Sequence, residues 1–182
     1  MKKAIIDIDG VLNNYPQTLI DYCNYSLKTN FKTLHEIKSA LSFIDYRKMK
    51  ENYINSEFKN DANVKENAVI LLNLLKQTGY LIYIITSRDL FKNNQLERTI
   101  NWLKKNRLIY DYIYCSAKKD FTIFEKFGHV DLVVEDNVDN LNNIKRINGD
   151  ALYINVINSE NIDYEFNGIR VNSLIEIFKY IK

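Results

Sequence analysis

Ala4-Ile5-Ile6-Asp7-Ile8-Asp9-Gly10-Val11, near the start of the chain, is the stretch that decides the fold. Its isoleucine-rich beginning predicts a strand over Ala4–Ile8, because β-branched residues favour the pleated conformation. Gly10 is the second residue after it, and glycine permits the tight turn that a strand needs at its end. Two carboxylates, Asp7 and Asp9, therefore mark the carboxyl end of the predicted strand.

The rest of the chain alternates between apolar runs and amphipathic helical patterns. Apolar runs predict strands over Tyr80–Ile85, Tyr110–Cys115, Val130–Val134 and Ala151–Val156, with a shorter candidate at Gly168–Val171. Helical spacings predict helices over Val64–Lys76, Leu96–Lys105, Phe121–Phe127, Val138–Ile147 and Ser173–Ile181. Strands and helices that alternate at these lengths predict an α/β fold with a central parallel sheet and right-handed crossovers.

A long helical segment separates the first two predicted strands. Apolar residues recur at three- and four-residue spacings from Tyr15 to about Glu57, and Lys59–Lys65 is a polar interruption. This is far more chain than one crossover needs. We therefore predict a Rossmann-like core over residues 1–13 and 66–182, with a small helical domain inserted over residues 14–65.

The composition of the chain limits the classes of protein to which it can belong. Of 182 residues, 46% are hydrophobic and 26% charged, which is typical of a globular domain. The 25 basic and 23 acidic residues nearly balance, so nothing in the charge favours nucleic acid as a partner. Cys23 and Cys115 match no zinc spacing, and we expect two reduced, mostly buried thiols. No apolar run has the length of a signal core or a membrane span, so we expect a cytoplasmic protein.

Polar side chains follow the predicted strands at their carboxyl ends, where open parallel sheets bind ligands. They are Asp7 and Asp9, then Thr86, Ser87 and Arg88, then Lys118 and Lys119, then Glu135 and Asp136. Crowded carboxylates require a cation, and hard oxygen ligands beside a phosphate suit Mg²⁺. A carboxylate can attack phosphorus, while a hydroxyl and a lysine hold the phosphoryl oxygens. A second carboxylate can protonate the leaving oxygen and then activate water.

These four motifs resemble those of the haloacid dehalogenase superfamily. The matching residues are Asp7-Ile8-Asp9-Gly10-Val11, Thr86, a lysine at 118 or 119, and Glu135-Asp136. The resemblance implies a Rossmann-like core of that superfamily, with the insertion forming a helical type 1 cap that closes over the site and selects the substrate. Family members that act on carbon–halogen bonds lack an acid at the position of Asp9, so a phosphatase is favoured.

The resemblance also implies the roles of the individual residues. Asp7 would be the nucleophile that forms an aspartyl-phosphate, and Asp9 the general acid and base. Mg²⁺ would be held by the Asp7 carboxylate, the Asp9 main-chain carbonyl and an acidic residue of the last motif. Phosphate would be bound by Thr86, with Ser87 beside it, and by a lysine.

Two assignments remain open between neighbouring residues. Lys119 is preferred over Lys118, because it stands directly before Asp120, a residue suited to capping a helix. Asp136 is preferred over Glu135 as the metal ligand, because the shorter side chain suits octahedral Mg²⁺ geometry.

The substrate class is implied by a second, less specific sequence resemblance. Ile84–Arg88, Thr99–Leu103, Tyr110-Asp111 and Val133–Asn137 are similar to 5′-nucleotidase-like phosphatases, and Asn55–Phe58 leading into Val64–Ala68 resembles the cap exit of cytosolic deoxyribonucleotidases. A 5′-nucleotide or a related small phosphate monoester is the implied substrate. The alternatives are a sugar or other metabolite phosphate, a nucleic-acid terminal phosphate, or a receiver-like phosphoacceptor domain. Such a domain would carry its aspartate after a middle strand and would have no cap.

The predicted insertion carries further candidates for substrate contact. Its aromatic residues include Tyr15, Tyr22, Tyr25, Phe31, Phe43, Tyr46 and Tyr53. Most of them must form the insertion's own core, and one or two are candidates for stacking on a base. Arg47 and Lys48 are candidates for the far end of a substrate.

Overall fold

A computed structural model describes residues 1–88 and 94–181, and in these residues six strands form one parallel sheet. The strands are β1 Lys2–Ile6, β2 Tyr80–Thr86, β3 Tyr112–Cys115, β4 Leu132–Glu135, β5 Leu152–Val156 and β6 Ile169–Val171. Their order across the sheet is β3-β2-β1-β4-β5-β6, and every neighbouring pair is parallel. This is the order of a Rossmann sheet. The predicted α/β class with a central parallel sheet is confirmed.

The strand order reverses at the centre of the sheet, between β1 and β4. Ile6 of β1 pairs with Ile84 of β2 on one side and with Val134 of β4 on the other. One residue further, the Asp7 N–H donates to the Val134 carbonyl at 3.1 Å. Open parallel sheets form a crevice at such a reversal, outside the carboxyl ends of the strands. The residues that follow β1 and β4 therefore face the same crevice.

Helices cover both faces of the sheet and fill the chain between β1 and β2. In the described residues they are α1 Gln17–Leu27, α2 Leu34–Ala40, α3 Phe43–Ile54, α4 Glu57–Asn60, α5 Ala68–Gln77, α6 Gln95–Lys105, α7 Lys119–Phe127, α8 Val138–Asn148 and a final 3₁₀ helix, Leu174–Lys179. Among them there is no helix whose length and apolarity would allow it to cross a lipid bilayer.

Two apolar clusters hold the sheet between its helices. Ala4 and Ile6 of β1 belong to a cluster with residues of α5, α6 and the 3₁₀ helix, and Ile5 belongs to a second cluster with residues of α7 and α8. Successive strand residues point to opposite faces. A central strand covered on both faces must therefore be apolar throughout, which explains the continuous isoleucine-rich run that begins the chain.

Of the four helices between β1 and α5, the first three, α1–α3, share an apolar cluster of their own. It is formed by Leu19, Ile20, Cys23, Leu34, Ile37 and Tyr53, all at most 2% exposed. The chain leaves and re-enters the sheet domain through paired stems. The Asn14 N–H donates to the Asn63 carbonyl at 3.0 Å, and the Lys65 N–H donates to the Leu12 carbonyl at 2.9 Å. The predicted helical segment after the first strand is thus present.

Several element boundaries differ from the predicted ones for local reasons. The first strand ends at Ile6 rather than Ile8, because the Ile8 carbonyl accepts turn hydrogen bonds from the N–H groups that follow it. The helix predicted from Val64 begins at Ala68, because Val64 forms an antiparallel bridge with Asn13. The final helix, predicted over Ser173–Ile181, is a 3₁₀ helix that Ser173 begins with a capping box.

Asp111 ties α5 to the sheet and provides a test of the fold. Its Oδ2 accepts the Ile82 N–H at 2.7 Å, and its Oδ1 lies 2.7 Å from Lys76 Nζ. Burial alone would raise the pKa of Asp111, but Lys76 and the Ile82 N–H together lower it below its ordinary value. We expect Asp111→Asn to reduce the free energy of unfolding by about 1 kcal/mol at neutral pH.

The pH dependence of this loss follows from the lowered pKa of Asp111. A carboxyl group whose pKa is depressed by folding stabilises the protein above its unfolded-state pKa of about 3.9 and loses that effect as the pH falls further. The deficit of the variant should therefore be constant above about pH 5 and shrink below it. Urea unfolding at several pH values measures this. Asp61→Asn, which removes an exposed ion pair with Lys105, is the control and should change stability by less than about 0.5 kcal/mol.

Candidate active site

Asp7 is a buried carboxylate at the lining of a cavity of about 840 Å³. The cavity is lined both by residues that follow the strands and by residues of α3 and α4. Asp7 Oδ1 lies 2.8 Å from Lys119 Nζ in an ion pair. Burial, with the nearby Glu135, raises the pKa of Asp7 to about 7. The surroundings of Asp7 therefore leave its negative charge only partly compensated.

Glu135 and Asp136, at the end of β4, complete an acidic cluster with Asp7. Glu135 Oε2 lies 2.6 Å from Lys119 Nζ, and its Oε1 accepts the Asn137 N–H at 3.1 Å. Asp136 Oδ2 accepts a hydrogen bond from Asn158 Nδ2 at 2.8 Å. Burial, Glu135 and Asp7 raise the pKa of Asp136 well above its ordinary value. Lys119 is thus one cation set against three crowded carboxylates.

The donor set of this cluster fits a divalent metal ion. One oxygen from each of Asp7, Glu135 and Asp136 lies within 4.8 Å of the other two. Carboxylate oxygens are hard ligands of the kind that Mg²⁺ prefers. The raised pKa values of Asp7 and Asp136 indicate that another positive charge would be stabilising here.

Gly10 allows the chain after β1 to approach the end of β4. Its φ is +84°, and a Cβ atom at this position would overlap the Asp136 carboxylate. Its N–H donates to Asn13 Oδ1 at 3.1 Å, and its carbonyl accepts from Lys65 Nζ at 2.8 Å. The absence of a side chain at residue 10 is therefore what lets Asp136 lie beside the turn that carries Asp9.

Gly10→Ala should destabilise the protein more than a matched glycine substitution does. Gly79 has a similar φ of +82°, but a Cβ there would meet nothing within 4 Å. We expect Gly79→Ala to cost about 1 to 2 kcal/mol through its backbone conformation alone. Gly10→Ala should cost about 1 to 3 kcal/mol more, because the Asp136 carboxylate must also move. Denaturant unfolding of both variants measures the difference, and equal losses would contradict the close approach.

Asp9 lies between two buried cations. Arg88 holds it through two hydrogen bonds, from Nε to Oδ2 at 3.1 Å and from Nη2 to Oδ1 at 2.7 Å. Lys59, carried by α4, donates to the same Oδ1 at 2.6 Å. Burial alone would raise the pKa of Asp9, but Arg88 and Lys59 hold it well below its ordinary value. Burial and the neighbouring Arg88 lower the pKa of Lys59 to about 8.

The structure separates the two lysines that the sequence left open. Lys119 is 3% exposed and faces Asp7 and Glu135. Lys118 is exposed, and its Nζ lies 5.6 Å from the centre of the Phe121 ring, outside the cavity lining. The difference arises because Lys119 begins α7, whose first turn faces the strand ends.

The remaining predicted site residues lie at the end of β2. Thr86 is 1% exposed, and its Oγ1 accepts the Arg88 N–H at 3.3 Å. Ser87 is exposed and lines the cavity. The structure thus brings the hydroxyl groups of β2 to the same edge of the sheet as Asp7 and Lys119.

Sequence reasoning assigned no role to Lys59 or Arg88. Arg88 follows Thr86 and Ser87 at the end of a predicted strand, and this position could have indicated a site residue. Lys59 lies in a stretch described only as polar, and its partner Asp9 is 50 residues away. Of the substrate-contact candidates, Tyr15 and Tyr53 line the cavity. Arg47 and Lys48 are exposed on α3 and are absent from the lining in the described part of the chain.

Comparisons with solved structures show the fold. No protein-family model and no curated protein matches the chain. A Clostridium acetobutylicum protein described as a predicted phosphatase is 16% identical with a TM-score of 0.67, over 99% of this chain and 97% of that one. A HAD family hydrolase from Deinococcus radiodurans, solved with bound phosphate and sodium, is 14% identical with a TM-score of 0.66, over 97% and 93%. A HAD hydrolase from Entamoeba histolytica is 18% identical with a TM-score of 0.58, over 97% and 95%. The chain therefore has the fold of these hydrolases over nearly its whole length.

Proposed function

We propose that this protein is a Mg²⁺-dependent phosphatase that hydrolyses a small phosphate monoester through an aspartyl-phosphate on Asp7. The observation that carries the proposal is the meeting of Asp7, Lys119, Glu135 and Asp136 around one point of the cavity. Carboxylates and an ammonium group in this arrangement supply a nucleophile, a metal site and a phosphate ligand. The neighbour of the same fold that was solved with phosphate and sodium supports a site for an anion and a cation together.

Asp7 and Asp136 are the side chains proposed to hold Mg²⁺, with the Asp9 main-chain carbonyl. Glu135 is second to Asp136, because both of its oxygens are engaged, one by Lys119 and one by the Asn137 N–H. Bound there, Mg²⁺ would offset the negative charge of the phosphoryl oxygens during transfer.

The proposed reaction has two displacements at phosphorus. In the first, an Asp7 carboxylate oxygen bonds to phosphorus while the ester P–O bond breaks, and Asp9 protonates the leaving oxygen. Lys119 and Thr86, with Ser87 beside it, hold the phosphoryl oxygens. In the second, Asp9 takes a proton from water, whose oxygen bonds to phosphorus while the bond from phosphorus to the Asp7 oxygen breaks, and inorganic phosphate leaves. Asp7 is thereby regenerated as a carboxylate.

The contacts of Asp9 favour its role as general base towards water over its role as general acid towards the leaving oxygen. An ionised carboxylate is the form that accepts a proton from water, and Arg88 and Lys59 keep Asp9 in that form. Protonation of the leaving oxygen requires that these two cations release Asp9 during the first displacement. Both side chains line the cavity, so a bound substrate can reach them.

A 5′-nucleotide is the proposed substrate class, and α1–α4 are proposed to act as the cap over residues 14–65. The cavity, at about 840 Å³, has the size of a small-molecule site. Tyr15 from the insertion and Tyr164 from the loop after β5 line it and offer rings to a base. The core proposed to carry the chemistry comprises residues 1–13 and 66–182.

Phosphate release from p-nitrophenyl phosphate by the purified protein tests the general function. Release should require Mg²⁺ and stop when EDTA removes it. A panel of 5′-nucleotides and sugar phosphates then tests the substrate class. Turnover of sugar phosphates without turnover of nucleotides would reject the nucleotide assignment and leave the chemistry intact. No Mg²⁺-dependent release from any monoester would reject the phosphatase.

A further inference from the structure

Lys59 and Arg88 are two buried cations whose task in the proposed chemistry is limited to keeping Asp9 ionised. Their side chains are 7% and 8% exposed, and both line the cavity. They come from different parts of the fold, since Lys59 lies on α4 of the insertion and Arg88 follows β2. Burying a charge is costly unless the charge is paired. Two buried cations in one place therefore indicate a specific role.

The charges around this pair do not balance. In the described part of the chain, the carboxylate that pairs with Lys59 and Arg88 is Asp9, so two positive charges share one negative charge. Arg88 Nη1 makes its further contact with a neutral group, Thr99 Oγ1 at 3.3 Å. Lys59 Nζ lies 5.9 Å and 5.4 Å from the ring centres of Tyr15 and Tyr53. Against Asp9 alone the pair has about one positive charge in excess, and Asp7 also attracts both cations. The ammonium and guanidinium groups keep further N–H donors for an added acceptor.

The position of the pair relates it to the leaving group. In the proposed reaction Asp9 protonates the leaving oxygen, so the groups that contact the Asp9 carboxylate flank the leaving group. The transferred phosphoryl group has other partners, namely Lys119 and the end of β2. An anion that binds Lys59 and Arg88 would therefore belong to the part of the substrate that departs.

We propose that Lys59 and Arg88 form a subsite for a second anionic group, a carboxylate or a phosphate, on the leaving-group side of the substrate. The inference rests on the proposed phosphatase function and narrows its substrate to monoesters with a second anion. A guanidinium and an ammonium group suit both anions, because each forms charge-assisted hydrogen bonds to their oxygens. Among nucleotides, a nucleoside 3′,5′-bisphosphate meets this requirement and a 5′-monophosphate does not.

Two matched pairs of substrates test the subsite. The phosphate ester of 3-hydroxypropanoate and propyl phosphate have the same carbon chain and differ in one carboxylate. Uridine 3′,5′-bisphosphate and uridine 5′-monophosphate differ in one phosphate. With Mg²⁺ present, kcat/KM should be about 10- to 100-fold higher for the anionic member of at least one pair, as expected for charge-assisted hydrogen bonds. The responding pair identifies the anion as carboxylate or phosphate, and equal values in both pairs would overturn the subsite.

Three variants locate the preference in the molecule. Lys59→Met should remove most of the preference for the anionic ester, and Lys59→Arg should retain it. Lys48→Met, which changes an exposed lysine of the same insertion outside the cavity lining, should leave it unchanged. An equal loss for both members of a pair in Lys59→Met would place Lys59 against the transferred phosphoryl group and overturn the subsite. If Lys59→Met does not fold, the kcat/KM ratios of the wild-type protein and of Lys59→Arg within each substrate pair still test the subsite.

Binding measurements separate this inference from the proposed function. Calorimetric titration of the same two pairs into Asp7→Asn requires no turnover. Tighter binding of the anionic member, lost in the Asp7→Asn and Lys59→Met double variant, would support the subsite even if the wild-type protein hydrolysed neither ester. Hydrolysis of both esters with equal kcat/KM and equal affinity would support the phosphatase and reject the subsite.

Discussion

Asp7→Asn is expected to lower the rate of phosphate release at least about 10³-fold, with the fold retained. An amide cannot serve as the nucleophile that forms an acyl-phosphate, so the first displacement has no substitute. Asn is nearly isosteric with Asp, and it removes one of the negative charges crowded with Glu135 and Asp136. Initial rates with p-nitrophenyl phosphate and Mg²⁺ measure the loss, and thermal unfolding confirms that the variant is folded.

The intermediate itself can be examined independently of the rate. Beryllofluoride mimics a phosphoryl group on a carboxylate, and the wild-type protein should bind it in a Mg²⁺-dependent manner that Asp7→Asn abolishes. Fluorine NMR detects the bound species. Retention of more than about a tenth of the activity by Asp7→Asn would reject Asp7 as the nucleophile. Trapping that survives the substitution would place the phosphoryl group elsewhere.

Lys119→Met should be the most destabilising substitution in the site, because it leaves buried carboxylates without their cation. Lys119 Nζ lies 2.8 Å from Asp7 Oδ1 and 2.6 Å from Glu135 Oε2. Breaking a buried ion pair by removing one partner costs about 3 to 5 kcal/mol. Burial alone would lower the pKa of Lys119, but Asp7 and Glu135 raise it above its ordinary value. Its stabilising effect is therefore complete at neutral pH and is lost only in strong alkali.

Lys118→Met is a matched control, one residue away and with the same chemical change. Lys118 is exposed over the Phe121 ring, so its substitution should alter the free energy of unfolding by less than about 0.5 kcal/mol. Urea unfolding of both variants at neutral pH, without Mg²⁺, measures the two effects. Similar losses for the two variants would contradict the buried position of Lys119. Lys119→Met should also reduce phosphate release, whereas Lys118→Met should not.

The parallel sheet and the edge at which the candidate site lies were largely predictable. Apolar runs separated by helical patterns indicated a parallel sheet, because strands covered on both faces are apolar throughout. The polar groups stood directly after those runs, and all strands of a parallel sheet end at the same edge. The boundaries were less predictable. The start of α5 depended on a bridge between Val64 and Asn13, and no local pattern encodes a contact across 51 residues.

Taken alone, the sequence determined the α/β class, the helical insertion and the positions of the acidic and hydroxyl groups at the strand ends. These follow from local periodicity and from the rule that parallel strands share an edge. Only the tertiary structure decided that Lys119 faces the carboxylates while Lys118 faces solvent, because helix rotation is set by packing. Only the tertiary structure brought Lys59 and Arg88 onto Asp9. These contacts depend on how the insertion folds back over the sheet. Ion pairs between residues distant in sequence produce no periodic pattern from which they could be predicted.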